Sequence, residues 1–106
     1  MGIRAYADVE LAQKRLSARA AEWRLSPQYS SGASAAYRWA LGCAEHSPVT
    51  GAGDAEGVPA LPALTAEVDA SVVQMEDLTS RPGPRDYSRG VHDALAWVCG
   101  HSDHAP

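Results

Sequence analysis

The stretch that decides the fold is Tyr29 to Pro48, YSSGASAAYRWALGCAEHSP, because it can be laid on Tyr87 to Pro106, YSRGVHDALAWVCGHSDHAP, without a gap at an offset of 58. Eight of the twenty positions match: Tyr29 with Tyr87, Ser30 with Ser88, Gly32 with Gly90, Ala36 with Ala94, Trp39 with Trp97, Gly42 with Gly100, His46 with His104 and Pro48 with Pro106. The chain has only three Trp, and two of them pair at this one offset. The shared pattern, Y-S-x-G-x-x-x-A-x-x-W-x-x-G-x-x-x-H-x-P, marks an internal duplication, which has to be found before any local reading is trusted.

Outward from each copy, the preceding segment is apolar at three- and four-residue steps. Val9, Ala12, Leu16, Ala20 and Trp23 form one such stripe; Leu61, Leu64, Val68, Val72, Met75 and Leu78 form the other. That period places apolar side chains on one face of a helix. Each half therefore reads as helix, turn, helix. Ser26-Pro27 and Gly83-Pro84 are helix-start signals, since Pro at the first helical position lacks only an N–H that would be unpaired there. Gly42 and Gly100 fall where a helix end favours a left-handed residue. Helices are predicted near residues 4–25, 27–42, 62–80 and 84–100.

A lone hairpin exposes its stripe, whereas two hairpins packed face to face hide both. The expected fold is all-α: a four-helix bundle of two duplicated hairpins with approximate two-fold symmetry. Repeat 1 covers 4–45, a Gly- and Pro-containing linker covers 46–60, and repeat 2 covers 61–104, within a single domain spanning 1–106. Val91, Ala94, Leu95 and Val98, with Ala33, Ala36, Tyr37 and Ala40 as counterparts, are the predicted core faces. Gly32 with Ala36, and Gly90 with Ala94, are small pairs that would let backbones approach.

Composition limits the function classes. At 106 residues the chain has the size of one domain. No apolar run reaches the roughly 20 residues of a membrane-spanning helix, and Met1 to Arg19 carries charge throughout, unlike a cleaved leader. A cytoplasmic protein is expected. Cys43 and Cys99 are too few for a disulfide framework and read as small hydrophobes. The net charge of -4 disfavours nucleic acid as a partner.

Candidate functional groups are few. Tyr29, Trp39, Tyr87 and Trp97 read as core aromatics or, alternatively, as the lining of a groove for a partner helix or small molecule. His101, Asp103 and His104, close to Cys99, offer zinc-type donors, but no second cluster completes a four-ligand set, so no metal or cofactor is assigned. His92 and Asp93 read as an exposed pair on the outer face of the last helix. Gly51 and Gly53 lack the strand and the Lys of a phosphate loop. The charges on the first helix (Arg4, Lys14, Arg15, Arg19, Arg24) and on the third (Glu67, Asp69, Glu76, Asp77) read as solvated faces.

The repeated motif, carried by Tyr87, Gly90, Ala94, Trp97, Gly100 and their first-half counterparts, resembles one in short uncharacterised helical proteins of actinobacteria and their phages. The resemblance spans only the two twenty-residue segments and implies no activity; eight Arg against the single Lys14 agree with it in composition. The leading expectation is a non-enzymatic protein-protein interaction or regulatory module, with another protein or a second copy of itself, as a homodimer, for a partner. The alternative is a small-molecule or metal-binding protein, with the question of enzymatic activity open, using a pocket between the hairpins near Trp39, Trp97 and the histidines.

Overall fold

A computed structural model describes residues 5–21, 27–42, 48–49, 61–76, 82–102 and 105–106. It contains four helices, α1 (Tyr6–Ala21), α2 (Pro27–Ala40), α3 (Leu61–Glu76) and α4 (Pro82–Val98), and no strand among the described residues. The all-α bundle of two hairpins is the observed architecture. Two of the starts coincide with Pro, at Pro27 and Pro82, as the missing proline N–H requires. The start at Pro82 rather than Pro84 makes α4 longer than α2, at 17 residues against 14. Trp23, Leu78 and most of the linker lie outside the described residues.

Both second helices stop in the same way. Gly42 has φ 79° and Gly100 has φ 81°, the left-handed region that glycine enters without a Cβ penalty. The Gly42 N–H donates to the Trp39 carbonyl and the Gly100 N–H to the Trp97 carbonyl, each at 3.0 Å. The His101 N–H reaches back to the Ala96 carbonyl at 2.8 Å, completing a Schellman cap on α4.

The helices are arranged in the spatial order α1, α2, α4, α3. The α2 to α4 contact is the most extensive, and α1 and α3 flank it on either side. The sequence-predicted core faces form its interior: Ala33, Ala36, Tyr37 and Ala40 from α2, and Val91, Ala94, Leu95 and Val98 from α4, are all fully buried. Val9, Ala12 and Leu16 seal one side, and Leu64 with Val68 the other. Each large aliphatic side chain withdrawn from water contributes roughly 1.5 to 3 kcal/mol before conformational entropy is counted.

Glycine makes the central contact possible. A Cβ on Gly32 would lie 2.0 Å from the Tyr87 carbonyl oxygen, and one on Gly90 would lie 2.1 Å from the Tyr29 carbonyl oxygen. The two contacts are reciprocal, because Tyr87 is the counterpart of Tyr29 and Gly90 that of Gly32. In place of a side chain each glycine turns a Cα hydrogen toward the opposing carbonyl, a weak but repeated type of contact. Tyr37 meets Trp97 edge-on with ring centroids 6.2 Å apart. Trp97 is the counterpart of Trp39, so contacting partners stand within three positions of one another in the repeat. Helices α2 and α4 therefore run in the same general direction and end at the same end of the bundle.

The first helices align at a different offset. Val9, Ala12 and Leu16 are the buried positions of α1, and Leu64, Glu67 and Ser71, each 55 residues later, are buried in α3. Glu67, expected on a solvated face, is only 2% exposed, and its carboxylate accepts the Val49 N–H. A buried carboxylate needs such partners, since an unpaired charge away from water is costly.

Candidate functional site

Alongside the second half of α4, a cleft of about 480 Å³ is lined by Tyr29 from α2, Val68 from α3, His92, Asp93 and Ala96 from α4, and His101, Ser102, Ala105 and Pro106 beyond it. Both hairpins contribute to its wall. The α4 cap turns the chain at Gly100, and His101, Ser102, Ala105 and Pro106 line the opening.

Asp93 is the centre of the polar wall. The Tyr29 hydroxyl donates to Asp93 Oδ2 at 2.6 Å, a contact that joins residues 64 positions apart and ties one hairpin to the other. On its second oxygen, Oδ1, Asp93 meets His92 Nδ1 at 3.1 Å. A carboxylate can only accept, so the contact places a proton on Nδ1. The two side chains are 30% (His92) and 40% (Asp93) exposed, so the pair sits at the mouth rather than in the core. The sequence reading of an outward, solvated pair is corrected on this point: helix α4 turns this face toward Tyr29 across the seam.

Three phenols are raised by their surroundings in the fold. Burial pushes the Tyr29 phenol far above its ordinary value, and both the hydrogen bond to Asp93 and the Asp93 charge add to the shift. Burial does the same to Tyr37, with the Arg19 charge opposing and the Asp93 charge assisting. The Tyr87 phenol is raised by burial and by the Glu67 carboxylate. In each case the neutral form is the one the fold accommodates. The Tyr37 hydroxyl is fully buried and has no hydrogen-bond partner among the described residues. Cys99, also buried, has its thiol pushed up by burial, against a hydrogen bond from Thr65, and matches the expected small hydrophobe.

The predicted aromatics divide. Tyr29 lines the cleft, whereas Trp39 is 5% exposed in the core, and Trp97 is half-buried against Tyr37. Neither indole is part of the cleft wall, and Tyr87 packs against the core on the other side of the seam. Of the zinc-type donors, His101 is exposed at the rim, and Asp103 and His104 lie outside the described residues. No group of three His, Cys, Asp or Glu able to hold a metal occurs among the described residues.

Sequence reasoning missed His92 and Asp93 as site residues. The available signal was the place where the two copies differ: Asp93 stands opposite Ala35 in the repeat, and His92 opposite Ser34. A carboxylate that only one copy carries, on a face next to the core stripe, is a departure that duplication alone does not explain.

Comparison with protein-family models, with curated proteins and with solved structures finds no match to this chain. No helix among the described residues is long and apolar enough to cross a membrane.

Proposed function

We propose that the chain is a binding module that holds a small molecule in the cleft between its two hairpins. The observation that carries this reading is the Tyr29 to Asp93 hydrogen bond at 2.6 Å on the wall of an opening of about 480 Å³. Small-molecule sites combine a largely preformed concave space with a few convergent polar groups, and this cleft has both. Val68, Ala96, Ala105 and Pro106 supply apolar wall, while Tyr29, Asp93 and His92 supply fixed polarity. Because Tyr29 and Asp93 come from different hairpins, occupation of the cleft would also hold the halves together. A ligand-observed NMR screen on the intact chain, with hits mapped by amide shifts, tests the reading. Hits that perturb Tyr29, His92 and Ala96 and are lost in Ala96→Met, which fills the cleft, support it. Hits that map elsewhere, or that survive Ala96→Met, overturn it.

A second reading, a protein-protein interaction module, is favoured by the shallow groove of about 460 Å³ between α1 and α2, lined by Leu16, Ala20 and Pro27 with Ser17, Ser30 and Ser34. Leu11, 47% exposed on α1, adds an apolar side chain outside it. Under this reading the first partner to test is a second copy of the chain. Light scattering coupled to size exclusion decides that version, since a strict monomer at high micromolar concentration removes the homodimer.

A further inference from the structure

We infer that the chain associates with further copies of itself, the outer face of α1 on one molecule lying against the outer face of α3 on the next. This surface is separate from both the cleft and the groove between α1 and α2. The large apolar side chains that stand exposed among the described residues, Tyr6, Leu11 and Val73, all belong to these two flanking helices. Val73 is 70% exposed and Leu11 47%. Each has charge beside it, and the sign differs between the helices. On α1, Lys14 and Arg15 lie within one turn of Leu11, with Arg19 a turn beyond, and all three are exposed. On α3, Asp69 and Glu76 bracket Val73 four residues before it and three after, the spacing of one helix face, and both are exposed. Helix α3 carries no basic residue to offset them. Among the described residues, neither Lys14 nor Asp69 has an ion-pair partner within its own chain.

The fold makes these two faces complements. Helices α1 and α3 flank α2 and α4 on opposite sides, and the approximate two-fold relating the hairpins points their outer faces in opposite directions. A copy displaced sideways without rotation therefore sets its α1 against the neighbour's α3. Lys14 and Asp69 stand 55 positions apart, the separation at which the buried residues of α1 and α3 correspond, so they meet at about the same depth. The same register brings Leu11 opposite Ala66 and Ala18 opposite Val73, a large side chain facing a small one each time. Asp8 and Glu10, the acidic residues at the start of α1, fall opposite the uncharged stretch Pro62 to Ala66. Because the two surfaces differ, the contact does not close on itself: each added molecule leaves an α1 face uncovered at one end and an α3 face at the other.

Sedimentation velocity on the intact chain, from low micromolar to millimolar concentration, tests this arrangement. The average mass is expected to rise with concentration past that of a dimer and to fall back in 1 M NaCl, where charges are screened beyond about 3 Å. Lys14→Glu and Asp69→Lys are each expected to weaken association about five-fold or more, the scale of losing an exposed ion pair and gaining a like-charge contact. Helical circular dichroism should be unchanged in both, since both side chains are exposed. Mixing the two variants should restore association, because the first retains the native α3 face and the second the native α1 face. A chain that stays monomeric at millimolar concentration overturns the inference. So does assembly that stops at a dimer, that ignores both charge reversals, or that the mixture fails to restore.

Discussion

The two hairpins bury different chemistry on the same frame. On the outer side of α2, helix α1 contributes Val9, Ala12 and Leu16, all apolar; at the corresponding depth on the outer side of α4, helix α3 contributes Leu64, Glu67 and Ser71. Ser88 of α4 is also buried and donates to Gln74 of α3 at 2.7 Å, whereas its counterpart Ser30 is only half-buried and donates to the Pro27 carbonyl. Among the described residues, the buried polar side chains Glu67, Ser71 and Ser88 all belong to the second hairpin. Between the hairpins, by contrast, the Gly32 and Gly90 contacts are reciprocal to within 0.1 Å. The symmetry is strict where two backbones touch and loose where side chains meet. Backbone contact leaves no volume to vary, while a buried polar group is tolerated wherever its hydrogen bonds are met.

The largest test of this contrast is alkaline pH. Tyr29, Tyr37 and Tyr87 all have phenols raised in the fold, so their protonated forms are favoured there. The stability this contributes is complete below the unfolded phenol value of about 10 and is lost as pH rises above it. The chain is expected to unfold cooperatively in that range, with tyrosinate absorbance and loss of helical circular dichroism appearing together. Tyr37 is fully buried and Tyr87 only half-buried, so Tyr37→Phe should shift the midpoint upward more than Tyr87→Phe does. Tyrosinate that forms fully while the helices persist would contradict the burial.

Next come the glycines. Gly32→Ala and Gly90→Ala each place a methyl group against backbone that cannot step aside locally, and each is expected to cost about 3 kcal/mol or more. The two losses, measured by urea unfolding, should be close to equal; a difference of more than about 1 kcal/mol would break the equivalence of the two sides of the seam.

The flanking helices should then separate the hairpins. Leu16→Ala removes a side chain that is 1% exposed and is expected to cost about 2 to 4 kcal/mol. Ser71→Ala, at the matching depth, removes only a hydroxyl bonded to the Val68 carbonyl of its own helix and should change stability by less than about 1 kcal/mol. Similar losses at both positions would erase the contrast between a dry and a polar flank.

The smallest effect sharpens the site itself. Tyr29→Phe removes the donor to Asp93 Oδ2 and should cost about 1 kcal/mol, the low end for a charged acceptor because Asp93 keeps some water. Tyr87→Phe, facing the copy that has Ala35 in place of Asp93, should cost less. A larger loss at Tyr87 would show that the hydroxyl of the second copy has the stronger partner.

Much of the fold was legible because identical residues met identical demands. Gly42 and Gly100 end their helices as expected, and the small-residue pairs let the backbones meet. The stripe of Val91, Ala94, Leu95 and Val98 became the interior. The site was less legible for a physical reason. The bond from Tyr29 to Asp93 joins two hairpins, and helical periodicity within either one carries no information about the direction of a long side chain across the seam. Burial of Glu67 was hidden as well, because a carboxylate beside the apolar stripe of α3 reads as solvated from its charge, and the Val49 N–H that makes its burial tolerable is supplied from outside the helix. Trp39 and Trp97 drew attention by rarity, and rarity proved to mark packing rather than the cleft.

The reciprocal glycine contact has a further consequence. Each half carries both the notch and the carbonyl that fills it, so a half-length ancestor would have held everything needed to pair with itself. Joining two such halves by a tether replaces dilution-sensitive pairing with a fixed local concentration. It also releases each half from mirroring its mate: Asp93 could arise once, on one side, without installing a second carboxylate at Ala35.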